Sequence, residues 1–309
     1  MKKLAWVWAK ANELFSAPSD GTTAAFFRVA IGLLSMWQAF GVWLNLERYY
    51  SQDGFIPFEV VKDNGWIWLS PLAWAPSSTV MLHAVWGLFA VAALLLTIGF
   101  HPRVAALVVA YLHVGLQLRN PYILNSGDRL FMIVVALGAA MPLAHRFSVH
   151  AWLRARKGLG AFPAATVWGQ RLVGIQIAYV YLNSAISKLA NERWQNGMAL
   201  RDVLASPVFA EWPKWVDFNP LIWALTYSTL LLELLVPAFV WFKRPRRWLL
   251  LWGVGFHVGI DVTMMIPIFS YIMIIGYIAF LTDDETAWLF RKLTFRREPA
   301  SPKVEAATA

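Results

Sequence analysis

The chain has 309 residues, of which 59% are apolar and 15% charged. Soluble domains carry about 25% charged residues, so a chain this apolar is excluded as a soluble enzyme, a disordered chain or a stapled secreted domain, and a lipid bilayer is its expected solvent. The net charge is +9 and there is no cysteine; that rules out a thiol nucleophile and Cys-ligated zinc, and in a membrane chain it marks cytoplasmic loops rather than nucleic-acid binding.

Residues 1–23 open with MKKLAWVWAKANELFSAPSD. They are basic and amphipathic but lack the apolar core of a signal peptide, which predicts a helix lying on the cytoplasmic surface. Runs of roughly 20 apolar residues then predict about eight transmembrane helices, at 24–46, 78–100, 103–119, 129–145, 167–187, 221–242, 247–265 and 267–282. The second and third are separated only by His101-Pro102-Arg103, a tight hairpin. The last two are short and meet at Pro267, which fits either two spans or one broken, re-entrant helix. The loops 47–77 and 188–220 are rich in Trp, Pro and acidic residues and too polar to span, and are expected as caps. Trp66, Trp68, Trp74, Trp212 and Trp215 in or near them are expected as interface anchors. Residues 283–309 end in EPASPKVEAATA and are expected as a mostly disordered cytoplasmic tail. The predicted fold is therefore an all-α integral membrane protein. It comprises a surface segment (1–23), a transmembrane domain (24–282) and a tail (283–309), with two helical or loop caps on the non-cytoplasmic face.

Charge sets the orientation. With the N-terminus inside, the inner segments carry 17 Lys and Arg, including the KRPRR run at 243–247, and the outer loops carry 8. This asymmetry places both termini in the cytoplasm.

An ionisable side chain at membrane depth costs about 2.5–3.5 kcal/mol on insertion scales, so each needs a partner or a task. Arg28 lies in the first span and Arg171 one turn into the fifth, where it can snorkel. Glu233 sits in the apolar run LLLELLVP and is expected to pair with Arg28 or Arg171, or to be protonated. His257 and Asp261 are one helical turn apart, so the carboxylate can orient the imidazole, or the two can serve only as an interhelical hydrogen-bonding pair. His83 and His113 are lone histidines on apolar faces, expected as packing residues. Lys188 ends the fifth span beneath a polar loop, with Asn183 and Ser184 one turn before it and Glu192 one turn after. A lysine in such a place is a candidate base or nucleophile, or else it snorkels to the interface and pairs with Glu192. In NPYILNSGDRL, Asn125-Ser126 fit a helix N-cap and Asp128 the first turn, and Asp128 falls on the same outer face as Lys188.

Five blocks carry a family resemblance: SAPSDGTTAAFFRVAIGLL, RNPYILNSGDRLF, IQIAYVYLNSAISKLANERWQNGMAL, LLLELLVPAFVWF with its basic turn, and GFHVGIDVTMMIPIFSYIMI. Together they resemble the HTTM family, the horizontally transferred transmembrane domain shared with vitamin K-dependent γ-carboxylases, over about 15–282. In the carboxylases the lysine before the Leu of the third block deprotonates vitamin K hydroquinone, and Lys188 occupies the matching position. The resemblance thus implies a bacterial inner-membrane protein acting on a membrane quinol, a secreted peptide, or both. Lys188, His257 and Asp128 would be catalytic, and Tyr179, Asn183, Trp194, Glu233 and Asp261 would line the cofactor site. Three departures separate the chain from glutamate carboxylation: Ser187 stands where the carboxylases have a second lysine, Ser126-Gly127-Asp128 lacks their histidine, and no large lumenal domain is expected after residue 282. The family also resembles the bacterial protein that helps mature a sporulation-delaying peptide, which implies the alternative of a non-catalytic maturation or immunity factor. A transporter is a third reading, but no internal repeat is visible.

Overall fold

A computed structural model describes residues 12, 14–206, 218–264, 266 and 268–293. Residues 1–11 and 13 of the expected surface segment (1–23), Trp212, Trp215, Pro267 and the tail beyond 293 lie outside the described residues. The described chain is mainly helical, with almost no strand. The long helices are α1 (Thr22–Leu44), α2 (Thr79–Ile98), α3 (Pro102–Arg119), α4 (Ser126–Gly138), α5 (Val149–Arg156), α6 (Trp168–Leu189), α7 (Asn219–Phe239), α8 (Lys243–Met264), α9 (Phe269–Gly276, extended by a 3-10 turn Tyr277–Phe280) and α10 (Asp283–Leu293). A two-residue ribbon pairs β1 (Pro18–Ser19) antiparallel with β2 (Ala165–Thr166).

A helix occupies each of the eight predicted apolar segments, but the count of eight spans is corrected. Among the described residues, three helices are long and apolar enough to cross a membrane: α1, α2 and α7. The others fall short for local reasons. Helix α6 carries Arg171 and Lys188, α8 begins with KRPRR, and α4 and α9 have 13 and 8 residues. Exposed Val80, Leu88, Val91, Leu94 and Ile98 follow helical spacing along α2 and form an outward apolar stripe, the reverse of a soluble helix.

The helices run up and down between two ends. At the basic end, Arg28 of α1 donates to the Phe147 carbonyl (2.6 Å), and Gln170 of α6 donates to the carbonyls of Ala279 (3.0 Å) and Leu281 (2.6 Å). Arg246 of α8 donates to the Phe280 carbonyl (2.7 Å) and grips both oxygens of Glu285 (2.7 and 2.9 Å). The predicted tail is corrected in part: 283–293 fold as α10 against α1. Asp283 there accepts from Thr23 N (2.7 Å), Asp20 N (2.9 Å) and Ser19 Oγ (2.8 Å), so the far end of the chain caps the first helix.

The other end carries the caps. The first holds short helices at Leu46–Tyr50 and Phe58–Val61 and 3-10 turns at Ile67–Leu69 and Pro71–Ala73, with Trp66, Trp68 and Trp74 exposed. The second holds Glu192–Gln195 and Ala199–Leu204. The predicted N-cap is present: Asn125 accepts from Gly127 N and Asp128 N, and Asp128 reciprocates on Asn125 N, a complete capping box. The chain reverses between α8 and α9 instead of continuing as one broken helix, since Phe269 packs on His257 and Tyr277 returns to Gly253. Helix α9 is the centre of the bundle, buried against α1, α4, α6 and α8.

Candidate functional site

Helices α6, α7, α8 and α9 pack around a column of polar side chains. On α6, Tyr181, Ser184 and Lys188 recur at helical spacing and share one face. Near the top of the column the Lys188 ammonium is ion-paired with Oε1 of Glu233 on α7 and donates to Ser184 Oγ (3.0 Å). Ser184 Oγ in turn donates to Glu233 Oε1 (3.1 Å). The Glu233 side chain is 4% exposed and that of Lys188 20%. Two charges taken from water hold together only when paired and hydrogen-bonded, and the Ser184 hydroxyl ties the pair. Oε2 of Glu233 is buried without a partner.

The second cap closes over this pair. Trp194 places its ring 4.7 Å from Lys188 Nζ, a cation–π contact. The cap is pinned to α7 by Tyr227 Oη donating to the Gln195 carbonyl (2.8 Å). Gly197 makes the approach possible: its φ is +78°, and a Cβ there would come 2.7 Å from Trp223.

Deeper in the column, the Tyr181 hydroxyl meets His257 Nε2 on α8 (2.9 Å) and the Tyr277 hydroxyl beyond α9. Gly253 makes room for this: a Cβ would lie 2.3 Å from Tyr277 Oη. Phe256 and Phe269 stand edge-on to the His257 ring. His257 Nδ1 and Ser270 Oγ are buried without partners. The two clusters adjoin: His257 lies within electrostatic reach of Lys188, and Tyr181 of Glu233.

The structure thus brings together Lys188, Glu233, Trp194 and His257 from the expected set and separates the rest. Glu233 pairs with Lys188, not with Arg28 or Arg171, whose guanidiniums bond the Phe147 and Leu14 carbonyls at the basic end. Lys188 likewise takes Glu233 rather than Glu192. Asp261 accepts from Tyr271 Oη (3.0 Å) and does not orient His257, whose bond goes to Tyr181. Tyr179 and Asn183 are exposed, away from the shared face. Asp128 belongs to a second buried cluster, 3.4 Å from His113 Nε2 and 3.5 Å from Gln38 Nε2. His113 is therefore more than apolar packing. Sequence reasoning missed Tyr181 and Tyr277. Counting back from Lys188 by seven, past the Ser184 already singled out, would have found Tyr181.

The family described as HTTM domain matches residues 16–285. The chain belongs to the HTTM family. All of the column lies within the HTTM match. This HTTM chain is 27% identical over 196 residues to the sporulation-delaying protein SdpB of Bacillus subtilis (strain 168), covering 60% of each chain. It is 23% identical over 204 residues to the uncharacterized protein YitO of the same organism, covering 63% of this chain and 66% of YitO. The HTTM chain therefore spans less than two thirds of the length of these relatives. No solved structure matches it.

Proposed function

We propose that this HTTM protein crosses the bacterial cytoplasmic membrane several times, with both termini inside, and uses the Lys188–Glu233 site, opening outward, as a proton-handling centre of a membrane enzyme. The orientation rests on the excess of Lys and Arg at the basic end. The observation that carries the enzyme reading is the Lys188–Glu233 pair with one carboxylate oxygen left free. In a water-poor site such a pair shares a proton between two bases. Passing it to Glu233 leaves a neutral Lys188 amine able to act as a general base.

The residues fit a membrane quinol. Glu233 Oε2, His257 Nδ1 and Ser270 Oγ are buried acceptors or donors without partners, and Trp194, Phe256 and Phe269 supply apolar walls. Lys188 and Glu233 would hold its hydroxyl, with His257 positioned by Tyr181 beside them. A bound quinol supplies the redox chemistry; the chain orients it, excludes water and moves the proton at Lys188 Nζ. The substrate is a secreted peptide or a lipid. Purification in native lipid followed by organic extraction tests this. Bound quinone that is lost, together with cellular function, in Lys188→Ala supports it; no bound quinone and full function of Lys188→Ala contradict it.

A second reading is a non-catalytic maturation or immunity factor for an exported peptide. It is favoured by the similarity to a protein named as sporulation-delaying and by the Trp-rich caps. Replacing Trp66, Trp68 and Trp74 with serine would then abolish peptide processing or immunity while leaving Lys188→Ala active.

A further inference from the structure

We infer that the basic end of the bundle carries a groove for an anionic phospholipid, bounded by α5 and the 157–164 loop. The groove has a volume of about 770 Å³, within the range of ligand sites. Its wall is small and apolar, with Ala151, Ala155, Ala161 and Ala164 beside Phe162. That shape suits an acyl chain and offers few hydrogen bonds to a polar ring.

The rim is cationic. Arg146 pairs with Asp20 at 2.5 Å. Arg154 lies 4.9 Å over the Phe162 ring, and Arg103 is close enough to act electrostatically on His145, which itself stacks on Phe162. Asp20 is the one carboxylate among the lining residues, and Arg146 already neutralises it.

Behind the wall sits an unbalanced charge. Arg28 is fully buried, and its Nε and Nη1 have no hydrogen-bond partner; its one bond runs to the Phe147 carbonyl. A buried guanidinium without a counter-charge is costly, and an anion in the adjoining groove would offset it. Phe147 itself, a groove residue, is held at φ +49°. A bulky residue is uncommon in that left-handed region and is held there only by its surroundings.

The surroundings select a lipid over a free anion. Phe147, Trp152 and Leu159 are exposed apolar side chains around this rim, and Arg156 stacks 4.1 Å over Trp152. Exposed rings interleaved with arginines at the ends of membrane helices are the pattern of an interfacial surface facing anionic headgroups.

Native mass spectrometry of the full chain in detergent, titrated with phosphatidylglycerol or phosphatidylcholine, tests the inference. Phosphatidylglycerol should be retained and phosphatidylcholine not. Arg103→Gln with Arg154→Gln should weaken retention about tenfold or more. Ala155→Trp, which fills the groove and leaves every charge in place, should weaken it comparably with an unchanged circular dichroism spectrum. Equal retention of the two lipids would overturn the proposal, as would retention unaffected by Ala155→Trp. Displacement of the lipid by inorganic phosphate alone would overturn the lipid reading in favour of a simple anion site.

Discussion

Lys188 and Glu233 form an ion pair across the contact of α6 and α7, and the pair is tied by a single hydroxyl, that of Ser184. Removing one partner strands the other charge, while removing both leaves an apolar contact. Glu233→Leu and Lys188→Met should each destabilise the protein by about 3–5 kcal/mol, and the double variant should recover most of that loss. Thermal unfolding in detergent checks this; additive losses would mean the two charges do not depend on each other.

Gly253 should be irreplaceable for steric reasons. A Cβ there would stand 2.3 Å from Tyr277 Oη, so Gly253→Ala should push the hydroxyl off Tyr181 and lower the melting temperature. Adding Tyr277→Phe removes the nearest atom but leaves the ring carbon Cζ 2.8 Å from the new Cβ, so it should restore part of the stability. A double variant no better than Gly253→Ala would place the damage elsewhere on α8.

The second cap is held by Arg193 and Asp202. The hydrogen bond from Arg193 holds the Asp202 carboxyl below its usual range. A carboxyl depressed in the folded state stabilises above its ordinary range and loses that contribution as pH falls through the depressed value. Both side chains are exposed, so the effect is small and salt-screened. Amide exchange across 192–204, corrected for intrinsic rates, should accelerate at acidic pH in the wild type, whereas Asp202→Asn should show the loosened cap already at neutral pH. Protection independent of both would remove the pair from the closure of the cap.

At the opposite end, Asp283→Ala removes the carboxylate that accepts from Ser19, Asp20 and Thr23. Loss of such a cap costs about 0.5–2 kcal/mol. Limited proteolysis should then cut within 283–293 faster than in wild type. An unchanged cleavage rate would show that the other contacts of α10, Arg246–Glu285 and Thr23–Thr286 among them, hold it without Asp283.

The helices were legible because apolar runs and turn residues are local signals. His101-Pro102 and Asn125-Ser126 marked boundaries where the structure has them. Lys188 and Glu233 stood out singly because a charge in an apolar run is conspicuous. Their pairing was not legible, because it depends on which helix faces which and at what depth. Arg171, the expected partner of Glu233, lies about 20 Å along α6 from Ser184. Tyr179 and Asn183 were chosen for proximity in sequence to Lys188, whereas helical periodicity puts Tyr181 and Ser184 beneath it. Asp283 was hidden for a different reason. Its polar neighbourhood resembles a solvated tail, and only the fold brings it to the first helix.

The most direct test of Lys188 as a base is Lys188→Arg. Arginine keeps the positive charge opposite Glu233 but does not release its proton in a protein. Complementation of a deletion strain at matched membrane abundance should therefore fail with Lys188→Arg even though the variant folds. Full complementation by Lys188→Arg would show that residue 188 serves only as a counter-charge and would contradict the proton-transfer account.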